Sequence, residues 1–354
     1  MTHSRNYRTL RRLILPALAG GALAALAFAP TFGVEPVQAN VPTQSISAPK
    51  GDAPKADVPK ADVPRPDDVK TGEINEPTPH KEANPSTFTG TSVISESKTF
   101  EHQRFDNTTS NQNSFIGKNK ATITIDSSVF DKTGNTTNDD NSNFRGQNAV
   151  VLGIEGSQTS IKDSNITSNS IGSNAVFATG EGSVINVENT NIHTKGDSSR
   201  GLDATYKGTV NGKNLTITTE GAHSATLATD RGEGTITAEA AKLTTSGTGS
   251  PVIYSTGNIT ANSINGVANK SEIGVVEGKN SITLTNSNVT GYHDNGFMLY
   301  QSFSGDAESG IACLKAENNT LTTHGTGAFI YVNNTTAEAD LTGNTILMPN
   351  TTTL

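Results

Sequence analysis

The chain has 354 residues, 34 of them acidic and 26 basic, for a formal net charge of −8. That balance argues against nucleic acid as a partner, and a single cysteine, Cys313, excludes an internal disulfide framework. Few aromatic residues, no Trp and 34 Gly would suggest disorder if the apolar residues were not periodic.

In chain order, residues 1–39 are expected to form a signal peptide. Arg5, Arg8, Arg11 and Arg12 precede an apolar run over residues 13–28, and Val37-Gln38-Ala39 is the small-x-small pattern read by signal peptidase. Leu10 and Pro16 around Arg11-Arg12 favour the general secretory route over the twin-arginine one. Removal of this segment takes away four Arg and one Glu, leaving a formal charge of −11. Residues 40–89 turn to Pro, Lys, Asp and Ala, with the near-repeat GDAPK, ADVPK, ADVPR, PDDVK. Such a composition predicts a disordered or polyproline-like spacer. No second apolar run of about 20 residues follows, so no transmembrane helix is expected after signal removal.

From residue 90 onward an apolar anchor followed by Thr, Ser or Asn returns about every 25 residues: Ile166, Ile192, Ile217, Leu243, Ile264, Val289, Leu321 and Ile346. Residues seven and five positions upstream alternate with period two, as in Ile185 and Val187 or Ile282 and Leu284. That is a strand pattern. Downstream, each copy carries a third run, such as LDATY at Leu202, PVIYS at Pro251 and GFMLY at Gly296. A unit of three short strands cannot bury its own apolar side chains, whereas stacked units share one core. The fold class expected over 90–354 is therefore all-β, a right-handed parallel β-helix of nine or ten coils, about 45 Å long at ~4.8 Å per coil. Asn and Ser beside the anchors (SNI, TNI, NSI, SNV) fit polar ladders at a corner, and Cys313 fits as a small packed side chain. The last coil, over residues 337–354, stops before its third strand, so an open edge closed by a partner or by further coils is expected there.

Coils such as GSVINVENTNIHTKGDSSRGLDATYKG and NSITLTNSNVTGYHDNGFMLYQ resemble the bacterial right-handed parallel β-helix proteins of the adhesin and autotransporter-passenger type. The resemblance covers residues 90–354 and implies a secreted or bacterial cell-surface rod, often adhesive. The C-terminal membrane barrel of autotransporters has no counterpart here.

Because the same fold also carries polysaccharide lyases and hydrolases, catalysis is weighed by residues. No catalytic signature is found. Asp139-Asp140 lies in the insertion GNTTNDDNSN, expected to be a solvated loop, and Lys195, Arg200, Lys207 and Arg231 look scattered near turns. Convergence of Asp203, Asp294, Asp306 and Glu308 on one groove would favour an enzyme. His193, His223, His293 and His324 share no ligand spacing, so no metal or cofactor is implied. TIT at Thr122, Thr216 and Thr235 invites an ice-binding reading, but the array is not maintained from coil to coil.

One step, from Val289 to Leu321, is longer than the others. Tyr292, His293, Asp294, Asn295, Tyr300 and Gln301 there are the candidate ligand-binding residues, a glycan ledge of flat rings beside hydrogen-bonding groups. The alternative is a longer turn over core residues Phe297, Leu299 and Phe303. The functional expectation is a non-catalytic adhesin or rigid binding scaffold for a host or matrix glycan or protein. The alternative is an atypical carbohydrate-active β-helix.

Overall fold

Sheet A, which carries the anchors, shows the expected inward column: Phe105, Phe130, Ile166, Ile192, Ile217 and Leu243 pair in register from coil to coil. The computed structural model describes residues 5–6 and 10–15, backbone only, and residues 82–351. Most of the expected signal peptide and spacer lies outside the described residues.

The coils build a parallel β-helix of three sheets. Sheets A, B and C contain eleven, eleven and ten strands, and each coil supplies one strand to each sheet, giving ten coils. All pairings between coils are parallel. Sheet B holds the residues upstream of each anchor and sheet C the downstream run, as in Val184–Glu188, Asn191–Thr194 and Leu202–Thr205 for one coil. Apolar residues of all three sheets meet in one core running the length of the helix. At its N-terminal end Phe105 stacks on Phe130 at 4.8 Å between centroids, and Phe115 packs edge-on against both.

One anchor is displaced. Gly266, not Ile264, pairs with Leu243 and Val289, so the steps here are 23 and 23 residues. A Cβ at Gly266 would lie 2.9 Å from Val289 and 3.1 Å from Val252, which already fill the space. Ile264 is still buried, at the preceding corner.

The Asn and Ser beside the anchors form ladders at that corner, between sheets B and A: Asn191 Nδ2 donates to Asn165 Oδ1 at 3.1 Å, and the Ser128 amide donates to Ser164 Oγ at 3.0 Å. One residue per coil turns left-handed there: Ser127, Asp163, Asn189, Asn214, Ala240, Ser263, Asn286 and Asn318 have φ between 48° and 57°, and Gly343 has 66°. Asn and Asp tolerate this region because their side chains bond locally. Asn214 Nδ2 donates to Asn189 Oδ1 at 3.1 Å, and Asn189 Nδ2 donates to Asp163 at 3.0 Å. Inside the helix, the hydroxyls of Thr194, Thr219 and Thr245 donate to the carbonyls of Ser199, Ser224 and Ser250, each at 2.5 Å.

The outer face of sheet B is regular. One column runs Thr124, Ser160, Asn186, Asn211, Thr237, Thr260, Thr283. Its neighbour alternates in sign: Asp126, Lys162, Glu188, Lys213, Glu239.

Three expectations change. The insertion around Asp139-Asp140 is a helix, α1 (Asp139–Arg145), not a solvated loop. Asn138 caps it by accepting from the Asn141 amide, the two Asp occupy its first turn, and Gly146 ends it at φ 74°. Within the span expected to be spacer, residues 82–88 lie against the helix, with the Ala83 amide donating to Asn141 Oδ1 at 2.8 Å and Phe88 buried. The final coil is not open on every sheet: Arg5–Asn6 pairs antiparallel with Thr345–Leu347, and Leu10–Leu15 with Thr336–Thr342. Sheet C ends at Ile330–Asn333.

Candidate functional site

Sheet C differs from the others because its outward side chains are mostly buried. One outward column is Leu152, Phe177, Asp203, Ala228, Tyr254, Val275, Met298. Its N-terminal members are apolar, and with Phe88, Ile116, Ala149 and Ile154 they form a second, smaller core beneath α1 and residues 82–88. Farther along, the column turns polar and is roofed by charged side chains.

Glu82 holds this roof. Its side chain is 4% exposed and meets Arg145 Nε at 2.6 Å, Arg231 Nη1 at 2.5 Å and the Tyr206 hydroxyl at 2.6 Å. Arg231 stacks over the Phe144 ring at 3.4 Å, and Arg145 over Tyr206 at 3.6 Å. Arg231 Nε also meets Asp306 at 2.5 Å, which ties the long turn after Tyr300 to α1. These are paired, hydrogen-bonded buried charges, the only condition under which burial of so many is tolerated.

Between α1 and that turn lies a cleft of about 490 Å³. Ala225, Pro251, Tyr254, Val275 and Met298 give it apolar surface, and Arg200, Asp230, Glu272, Tyr300 and Asp306 line it with polar groups. Arg200 stands between two carboxyls, with Nη2 2.9 Å from Asp230 and Nε 3.8 Å from Asp203. Burial pushes Asp203 well above the usual carboxylate range, against the pull of Arg200. It pushes Asp230 up to about 6, again against Arg200, with Asp306 and Glu277 adding to the rise. The Asp203 side chain is fully buried, and besides Arg200 only the Ala204 backbone amide stabilises its carboxylate.

On the far side, Glu277 Oε2 accepts from the hydroxyls of Tyr254 at 2.7 Å and Tyr300 at 2.9 Å, and its other oxygen accepts from Ser302. Burial raises both tyrosines, so each keeps its proton as donor. Glu272, at the rim, accepts from Ser271 at 3.0 Å and lies 3.0 Å from His293 Nδ1.

The six candidate residues named from sequence divide around the strand Phe297–Tyr300. Tyr300 lines the cleft, and His293 reaches its rim through Glu272. Tyr292 is 49% exposed and stacks face to face on His324 at 4.4 Å. Asn295 accepts from the Ala328 amide at 3.0 Å, Gln301 Nε2 donates to the Ala307 carbonyl at 3.1 Å, and Asp294 is exposed. Phe297 and Leu299 are core, but Phe303 is 93% exposed. Of the four acids whose convergence was at issue, Asp306 lines the cleft and Asp203 is sealed behind it against Arg200. Asp294 sits on its turn, and Glu308 pairs with Lys279.

Arg200 and Arg231, which look scattered in sequence, are central to the site, as are Asp230, Tyr254 and Glu277. Asp203, Tyr254 and Tyr300 interrupt the third runs with a polar group, whereas Arg200, Asp230, Arg231 and Glu277 lie at the ends of those runs, where no periodic signal marks them.

No family model, curated protein or solved structure matches this chain. Among the described residues no group of His, Cys, Asp and Glu is placed to hold a metal ion, and no helix is long and apolar enough to cross a membrane. The chain is a parallel β-solenoid with a built polar cleft on one outer face.

Proposed function

We propose that the protein is a rigid β-helix scaffold that binds a glycan in the sheet C cleft, and that it works as an adhesin at a bacterial surface or outside the cell. The observation that carries this reading is the pairing of two tyrosine hydroxyls on one buried carboxylate beside an apolar floor. Rings and methylenes cover a sugar face while fixed donors and acceptors meet its hydroxyls. The exposed Tyr292–His324 stack extends the aromatic surface on the turn before Phe297–Tyr300. Export rests on the basic and apolar halves of residues 1–39, and N-terminal sequencing of the protein recovered from culture medium tests it.

The site is tested by a glycan array on the full chain, followed by calorimetry on wild type and Met298→Arg. Met298 faces outward into the cleft, so the longer charged side chain blocks it without entering the core. Bound glycans are expected to be lost with unchanged melting. No binding on the array, or binding indifferent to Met298→Arg, removes the proposal.

A carbohydrate-active enzyme is the second reading, favoured by Asp203 and Asp230, two carboxyls that burial moves toward the range of a general acid. Release of reducing or unsaturated ends from polysaccharides, abolished in Asp230→Asn, is the outcome that establishes it.

A further inference from the structure

The charge around the cleft is uneven. Glu82, Asp203, Asp230, Glu272, Glu277 and Asp306 set six carboxyls against the guanidiniums of Arg145, Arg200 and Arg231. All three guanidiniums are already engaged by carboxylates, so none is free to take an anionic ligand. Asp203 is sealed under the floor beside Arg200, and Glu272 faces the rim with His293 as its ionisable neighbour. Burial holds a proton on Asp203, which leaves five carboxyls, those of Glu82, Asp230, Glu272, Glu277 and Asp306, facing three guanidiniums. Resting on the glycan reading above, we infer that the sheet C cleft selects sugars that carry a protonated amine, such as a deacetylated amino-sugar oligomer, over neutral or uronate-bearing sugars.

An ammonium group beside Glu272 and Asp230 forms charge-assisted hydrogen bonds in a partly dry site, where they are strongest. A uronate in the same place meets like charge. Asp230 is surrounded by Arg200, Arg231, Asp203, Glu277, Asp306 and the two tyrosines. In this setting it holds a proton at mildly acidic pH and loses it above about 6. Amine binding is thus favoured as pH rises from 5 toward neutrality, and at the lower end it releases a proton.

The test is calorimetry on the full chain with three probes: a glucosamine hexamer, an N-acetylglucosamine hexamer and an oligogalacturonate. Each is run at pH 5, 6 and 7 in two buffers of different ionisation enthalpy. The glucosamine hexamer is expected to bind about tenfold or more tightly than the other two, the order of one charge-assisted hydrogen bond, with affinity rising from pH 5 to pH 6. Glu272→Gln, which keeps the shape and the Ser271 hydrogen bond of a side chain lining the cleft, is expected to remove most of that preference while its melting curve stays unchanged. Equal or tighter binding of the N-acetylated or uronate probe overturns the amine inference and leaves the glycan reading standing. Binding of no glycan at all overturns both. Displacement of the hexamer by equimolar spermine also overturns the inference, because the cleft then reads charge without sugar.

Discussion

Sheets B and C come from the same coils, yet their outer faces differ. Sheet B repeats: its outward column is Thr, Ser or Asn on every rung from Thr124 to Thr283, and none of these seven is buried. Sheet C does not repeat: Phe177, Asp203, Ala228, Tyr254 and Val275 succeed one another in a single column, and only Tyr254 is more than slightly exposed. A repeating rung satisfies the stacking requirement, and the open groove of about 530 Å³ along this face is lined by the same residue types rung after rung. Where neighbouring rungs differ in charge and size, stacking alone does not explain the residues, and sheet C is where the cleft lies.

The harshest way to break the comparison is to remove what both faces share. Ile217→Asp places an unpaired charge in the common core, at a cost of about 4 kcal/mol or more if the coil keeps its geometry. Thermal and urea melts should both report it, with local unfolding around that coil.

Next in size is a change confined to the sheet C roof. Arg231→Met keeps the stem but strands Asp306 and leaves Glu82 with Arg145 and Tyr206 alone, at about 3 kcal/mol, the penalty for removing one partner of a buried pair. Hydrogen exchange should rise in α1 and in residues 82–88 while the sheet B strands stay protected. Uniform exchange across both sheets would mean that the roof is not a separate unit.

The pH dependence should also separate the faces. Asp230 ionises at about 6 in the folded protein and near 3.9 when unfolded. Between these values the native state holds the extra proton. Its stabilising contribution is complete below about pH 4 and is lost as pH rises through 6, by up to about 3 kcal/mol. Melting followed from pH 4 to pH 7 should show this fall in the wild type and a flatter profile in Asp230→Asn.

The smallest effects belong to the repeating side. Thr237→Ala, on an exposed rung, should shift stability by less than about 0.5 kcal/mol. Ala240→Gly relieves a left-handed alanine and should stabilise by about 0.5 kcal/mol, read as a small rise in Tm.

The fold was legible because inward residues must recur. Period-two alternation and the 25-residue step placed Ile185, Val187, Ile192 and Ile217 inside, where they lie. The register slipped at Ile264 because a glycine held the true inward position, and glycine gives no hydrophobic signal. Helix α1 was hidden by its polar composition, although Asn138 and Gly146 were the cap residues that could have marked it. The site was less legible. Tyr300 and His293 stood out because an unusually long coil drew attention to them, whereas Arg200, Asp230 and Glu277 sit in coils of ordinary length. Their proximity depends on sheet C register, which only the stacked structure supplies.

The alternating column on sheet B bears on how the coils find their partners. Asp126, Lys162, Glu188, Lys213 and Glu239 oppose unlike charges only while each coil lies on its immediate successor. If one coil loops out during assembly, Asp126 meets Glu188, Lys162 meets Lys213 and Glu188 meets Glu239. Like charges directly opposite across a strand pair are destabilising. The apolar interior is nearly the same from coil to coil and would accept such a skip, so discrimination between neighbours falls to the surface. In a chain of near-identical rungs, this row of charges works as a parity check on assembly.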